Sequence, residues 1–351
     1  HSLYKASYLL IRRCHITYRL KFDMLIVNSQ SRTLARKTIM HPPQFKSSDH
    51  FEPCYFEPHY FEPWYDYHDP MVRQLCFAIA SFNLLKFFPT ALTQRTDIQF
   101  HDDSFWRNMY DCYQPRLKAL DQHPAPLYEF VQQIKSTRLG LRFEALLWFW
   151  LADPHNQHFD LLGHSIQHHQ GGKTLGEMDF VVRNRADQAI EHWEVSLKYY
   201  LAEANLNIYT WIGLNPEDTF AQKLTHFAEK QFQFDHAIGF HIDRRIAVMK
   251  GQLFLPTSIA DQSLDLPEWL NTCRRLGFWQ STAPVHYGEN APNWRRLKRA
   301  EWLSPEADTK DDTAKEFVYC PISYWTDGLY YAKAQHEYFM LRLNKSVVPF
   351  F

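Results

Sequence analysis

Residues 176–201 read GEMDFVVRNRADQAIEHWEVSLKYYL, two runs of strand-like alternation on either side of a polar turn. In the first run Met178, Phe180 and Val182 alternate with Glu177, Asp179 and Val181. In the second, Trp193, Val195, Leu197 and Tyr199 alternate with His192, Glu194, Ser196 and Lys198. A period of two is that of a strand with one buried face, and Arg183 to Gln188 supplies the polar residues of a hairpin connection. Burying Met178, Phe180 and Val182 together with Val195 and Leu197 fixes the parity of the register, so Asp179 shares a face with Glu194. With the turn centred between Ala186 and Asp187 the two acids are directly opposed, their Cβ atoms about 5 Å apart. Ionised carboxylates that close repel one another unless a cation, a shared proton or water intervenes. A divalent metal resolves the repulsion when further oxygen ligands are near. The same pattern also fits a solvated sheet face whose acids pair with Lys198 and Arg183.

Upstream, LGLRFEALLWFWL (Leu139 to Leu151) carries apolar residues around nearly its whole circumference, which predicts a helix buried on most sides. Glu144 sits in the middle of it, where a charge needs a partner, a proton or a metal; Arg142 and Arg138 are the local candidates for an ion pair. Leu161 to Gln170 alternates weakly and runs through Gly171-Gly172, a hairpin turn into the strand of Glu177 and Asp179. His155, His158, His164, His168 and His169 cluster in sequence without an HExxH spacing and are expected to be solvated loop histidines. Downstream, Asn215-Pro216-Glu217 predicts a helix start, with Asn215 as N-cap, that runs to about Gln233. Ile246 to Leu255 is the next strand. The order is helix, three strands, helix, strand.

These segments, with WIGLNPEDTFAQKLTHF (residues 211–227), resemble a bacterial family of uncharacterised proteins grouped with the PD-(D/E)xK nuclease superfamily, over about Asp69 to the C-terminus. The resemblance implies an α/β fold: an αβββαβ restriction-endonuclease-like core, a mixed central sheet flanked by helices, with N-terminal helices and a C-terminal α+β extension. Carried over by position, it makes Asp179 and Glu194 the acidic ligands of Mg²⁺ or Mn²⁺ and Glu144 the helix glutamate that joins them. Glu177, one step along the same face, is the alternative ligand. One position departs from the pattern: two residues after Glu194, where the superfamily has lysine, stands Ser196. Lys198 lies about 6.7 Å further along the strand on the same face, and Lys223 on the following helix is the other candidate to replace it.

The rest of the chain sets bounds. Of 351 residues 45% are hydrophobic and 22% charged, an ordinary globular balance, and the formal net charge is -1. There is no overall pull towards polyanions, so a nucleic-acid partner needs a local basic patch. Trp294-Arg295-Arg296-Leu297-Lys298-Arg299 offers one, read either as a phosphate grip or as a solvated helix face with Trp and Leu packed inward. The six cysteines (14, 54, 76, 112, 273 and 320) lack CxxC spacing, which argues for reduced, cytoplasmic thiols rather than zinc or a disulfide framework. No apolar run reaches the roughly 18 residues of a bilayer span.

Residues 1–70 differ in character. Up to Ser48 there are nine Lys or Arg and one acid, Asp23. With His1 first and Met24, Met40 and Met71 downstream, the expectation is a non-native or over-extended start. Phe51-Glu52-Pro53, Phe56-Glu57-Pro58 and Phe61-Glu62-Pro63 then repeat every five residues and predict an extended linker. The expected layout is therefore leader and linker to residue 70, a helical lead-in and core over 71–260, and an extension packed on the core over 261–351, with a helix near Pro267 to Leu276 and strands after Phe317.

Three functions fit these residues: a metal-dependent nuclease, a non-catalytic nuclease-fold module that binds nucleic acid or protein, or a hydrolase of small phosphoesters.

Overall fold

The computed structural model describes residues 60–93, 95–260, 265–282, 294–305 and 325–343. The leader and the first two repeats of the Phe-Glu-Pro motif lie outside them. The third repeat, expected as linker, belongs to the fold. Phe61 stacks on Phe82 with ring centroids 5.5 Å apart, Glu62 accepts from the Arg275 guanidinium at 3.2 Å, and Pro63 opens a short 3-10 turn that buries Trp64. Proline fits there because the first turn of a helix has no use for its missing N–H.

Four helices follow. Helix α1 (Pro70–Ala80) is capped by Asp69, whose Oδ1 accepts from the Met71 and Val72 amides at 2.9 and 3.0 Å. Helices α2 (Asp103–Gln122) and α3 (Ala125–Gln132) lead to α4 (Leu139–Ala152), buried at eight positions around its circumference, as its composition predicts. Strands β1 (Phe159–Gln170) and β2 (Lys173–Asn184) form a hairpin over Gly171 and Gly172. Both glycines have positive φ, 57° and 78°, the backbone that a two-residue turn of this twist demands. Strand β3 (Ile190–Leu201) pairs antiparallel with β2, Phe180 opposite Trp193 and Val181 opposite His192, the register that a turn centred between Ala186 and Asp187 gives.

Helix α5 is shorter than its sequence suggests. It runs Phe220–His226, capped by Thr219, because the Asn215 to Asp218 segment is held as a turn: Asp218 N–H donates to Asn215 O at 2.9 Å and Gly213 N–H to Asp218 O at 2.6 Å. A π-helical turn (Phe227–Gln231) continues it. Strand β4 (Arg244–Pro256) then lies parallel to β3.

Four further strands, β5 (Gly277–Gln280), β6 (Trp294–Arg296), β7 (Gly328–Ala332) and β8 (Glu337–Leu341), extend the same sheet in the order β6-β7-β8-β5-β4-β3-β2-β1, with the two-residue strands Ile98–Gln99 and Ile212–Gly213 paired to β4 and β3 beside it. The fold is mixed α/β, a large mixed sheet flanked by helices. The predicted helix near Pro267 to Leu276 is a run of turns instead, and the tryptophan-rich basic cluster is a strand and a 3-10 turn rather than a helix.

One core joins the helices α1 to α4 to one face of the sheet. A second, built from Tyr200, Trp211, Phe220, Phe227, Phe232 and Met249 among others, covers the opposite face. Strand β3 is therefore buried on both sides, and Glu191, His192, Glu194 and Ser196 are all buried. The solvated polar face that alternation suggests is not there, because alternation reports only that one face is more polar, not that water reaches it.

Candidate active site: an acidic pair where two strands part

The β2–β3 ladder ends at Phe180 and Trp193, and the next opposed pair is Asp179 and Glu194. Where the backbone pairing stops, an amide must find another acceptor. The Val195 N–H donates to Asp179 Oδ2 at 2.8 Å, so the aspartate closes the fork between the strands with its own side chain. Glu194 is fixed from two sides: His192 Nε2 is hydrogen-bonded to Oε1 at 2.8 Å, and Gln231 Nε2 donates to Oε2.

Electrostatics follow from this enclosure. Burial, and then the Glu194 charge, push the Asp179 carboxyl well above the usual carboxylate range, against the Val195 hydrogen bond that favours its ionised form. Burial pushes Glu194 up to about 8, opposed by the Asp179 backbone amide, Lys223 and Gln231. Burial, and then the like charge of Lys198, bring Lys223 down to about 8, while Glu194 and Asp179 favour its charged form. Burial lowers His192 to about 3, so its imidazole is neutral and a donor to Glu194 only through Nε2–H. Two acids and an amine thus share one water-poor space with their proton affinities brought together, an arrangement found chiefly where protons or cations are exchanged.

A consequence for stability has a definite sign. A carboxyl raised in the folded state holds a proton that the unfolded chain releases, so its contribution is complete below the unfolded value near 4.5 and is lost as pH rises towards about 8. With divalent cations chelated, the Tm of the wild type relative to that of Glu194→Gln is expected to fall between about pH 5 and pH 8; the comparison cancels the opposite trend of His192 and His101, which burial lowers to about 3. A wild-type Tm that rises relative to the variant's over that window contradicts the assignment.

The chain's kinship can be stated at this point. A family described as a domain of unknown function, DUF1853, matches residues 73–323, more than half of the chain. The chain belongs to the DUF1853 family. No curated protein and no solved structure matches it.

In this DUF1853 domain the other expected site residues are distributed as follows. Glu144 Oε1 is hydrogen-bonded to His164 Nε2 at 2.8 Å, not to Arg142 or Arg138, and the His164 ring stacks between Trp148 and Phe180. His164 is opposite Phe180 across the β1–β2 pair, one step of alternation from Asp179, so Glu144 acts on Asp179 through its charge rather than by contact. Glu177 is exposed. Among the described residues no three His, Cys, Asp or Glu side chains form a ready cage for a metal, so the four-carboxylate ligand set is not assembled. Lys198 Nζ donates to Asp218 Oδ2 at 3.3 Å. Lys223 is the amine whose charge is felt by both members of the acidic pair.

The basic cluster is elsewhere. Arg295 pairs with buried Glu301 at 2.6 Å, Arg296 Nη2 donates to Asp327 O at 2.7 Å, and the Arg299 guanidinium stands 3.9 Å from the Trp302 ring centroid. The Lys298 amide donates to Glu301 Oε2 at 2.8 Å. Five inter-strand steps separate β6 from β3, about 24 Å, so this cluster does not line the acidic pair. Among the described residues no helix is long and apolar enough to cross a membrane.

Sequence reasoning missed Gln231 and His192. His192 was legible as Glu194's neighbour on the same face. Gln231 was not, because only the π-helical turn brings it there.

Proposed function

We propose that this DUF1853 domain is a metal-dependent phosphodiester hydrolase of the PD-(D/E)xK type, acting on DNA or RNA. The observation that carries the reading is the acidic pair at the fork: Asp179 bound to the Val195 amide at 2.8 Å and Glu194 across from it, with Lys223 coupled to both. The helix–three strands–helix–strand order around the pair, with β4 parallel to β3, supports it further.

The donor set suits Mg²⁺ or Mn²⁺. Magnesium is commonly held by one or two carboxylates, keeps several waters and completes its shell with substrate phosphate. Asp179 and Glu194 would hold it, and cation binding offsets the burial that raises both groups and the Glu194 charge that adds to it at Asp179. When bound, the ion supplies a water of lowered pKa and a Lewis acid for the phosphoryl oxygen. The chain's own residues do the rest. Val195 N–H and His192 orient the two carboxylates, the second core behind Phe227 and Phe232 excludes water, and the Lys223 ammonium offsets negative charge developing on the phosphoryl group. Lys223 thus takes the part that the superfamily's lysine plays where this chain has Ser196.

Cleavage of plasmid and single-stranded substrates with Mg²⁺ or Mn²⁺ tests this. Activity is expected to vanish with chelator, to fall on the order of 10²-fold in Lys223→Met, and to change only a few-fold in Lys198→Met, whose amine is already paired. Cleavage that survives chelation overturns the proposal. A catalytically inactive nucleic-acid-binding module is the second reading, favoured by Ser196. It predicts instead binding that persists in chelator and loses salt dependence when Arg296, Lys298 and Arg299 are neutralised.

A further inference from the structure

Helix α5 and the π turn after it hold a contact that neither the register of the strands nor the acidic pair requires. Gln231 Oε1 accepts from Lys223 Nζ at 2.9 Å, while Gln231 Nε2 donates to Glu194 Oε2. The two residues are eight apart. Along a regular α-helix that is about 12 Å of rise and about 80° of rotation, too far for the two heads to meet easily. The widened turn over Phe227–Gln231, closed by the Phe232 amide donating to Phe227 O at 3.3 Å, turns the glutamine back towards the site. Such turns are costly and concentrate at functional positions.

A neutral amide in this place has a particular chemistry. It offers an acceptor to the ammonium and a donor to the carboxylate, so it satisfies both charges without joining them. A direct Lys223–Glu194 ion pair would neutralise the carboxylate that a cation needs and withdraw the amine from a phosphate. We propose that Gln231 is the positioning residue of this site, an amide spacer that holds the Lys223 ammonium beside Glu194 while keeping the two from pairing. The proposal builds on the hydrolase reading, but its test does not depend on cleavage.

The charged groups that face Lys223 are Glu194 and Lys198 from β3, Asp179 from β2 and Asp218 from the loop before α5. On its own helix His226 Nδ1 also approaches Gln231 Oε1, at 3.4 Å. Of these, Glu194 also responds to Gln231, which favours its ionised form, so each Gln231 variant is compared in a Glu194→Gln background, where a shift in Lys223 titration reports the amide.

The experiment is NMR titration of the full chain after reductive ¹³C-methylation of lysines, with the Lys223 signal assigned by its loss in Lys223→Arg. Gln231→Leu removes the acceptor and is expected to lower the Lys223 midpoint by about one pH unit. Gln231→Glu keeps an acceptor and adds a charge, and is expected to raise it. The glutamate is nearly isosteric, so that arm stands if the leucine variant does not fold. A midpoint unchanged in Gln231→Glu, or unchanged in a folded Gln231→Leu, overturns the proposal. Failure of the wild type to bind Mn²⁺ would sink the hydrolase reading and leave this result standing.

Discussion

Glu194→Gln is expected to lower divalent-metal-dependent phosphodiester cleavage on the order of 10²–10³-fold, and Asp179→Asn to do the same, with the fold intact in both. Each substitution removes a charge and keeps the shape. The amide introduced in Glu194→Gln keeps an oxygen beside His192 Nε2, 2.8 Å from Oε1 in the wild type, and loses only the bond from Gln231 Nε2. The amide introduced in Asp179→Asn likewise still offers one to the Val195 N–H. What is lost is the negative charge that holds the ion. Stability is expected to move the other way. Glu194 is a buried carboxyl whose proton is held up to about pH 8, so the neutral amide removes the cost of ionising it, and Tm at pH 8 should equal or exceed the wild type's. Gain of stability with loss of activity at one residue is the mark of a functional group kept against its folding cost. Steady-state cleavage and thermal unfolding of the same preparations check both halves. Full activity in either variant removes the pair from the mechanism.

Gly251→Ala is expected to destabilise the protein by about 4 kcal/mol, a fall in Tm of roughly 10 °C. Gly251 is in the middle of β4, opposite Lys198 of β3, with φ at +126°, a conformation that side chains rarely tolerate. A Cβ there would meet the Lys198 carbonyl oxygen at 1.9 Å. The obstacle is backbone in a central parallel pair, and it has no rotamer to retreat into. The same peptide accepts from the buried Arg274 guanidinium through its carbonyl oxygen, so the kink cannot relax without breaking that bond too. Denaturant unfolding of the purified variant measures the effect; a midpoint within error of the wild type's would mean that the two strands can move apart at this position.

How far the sequence reaches is clear from particular residues. The β1–β2 turn was legible because Gly-Gly permits positive φ, and the β2–β3 register because parity and turn position leave one solution. Helix α4 was legible because apolar residues on all sides leave no exposed face. Burial of His192, Glu194 and Ser196 was not legible: what covers them is Phe220, Phe227 and Phe232 on one segment and strands from residue 244 onward, contacts that alternation within β3 does not encode. The start of α5 was misread because Asn215-Pro216-Glu217 satisfies both a helix cap and a turn, and pairing of the Trp211 to Gly213 segment decides for the turn. Lys223 was one of two candidate lysines. Only the fold shows that Lys198 is spent on Asp218 while Lys223 is coupled to the acids.

The most direct measurement is calorimetric titration of Mn²⁺ into the full chain at pH 8, with Asp179→Asn and Glu194→Gln in parallel. One ion is expected to bind per wild-type chain with release of protons, because Glu194, raised to about 8, still holds part of a proton that the ion displaces, and both variants should lose that binding. No Mn²⁺ uptake by the wild type, or uptake that both variants retain, contradicts the account.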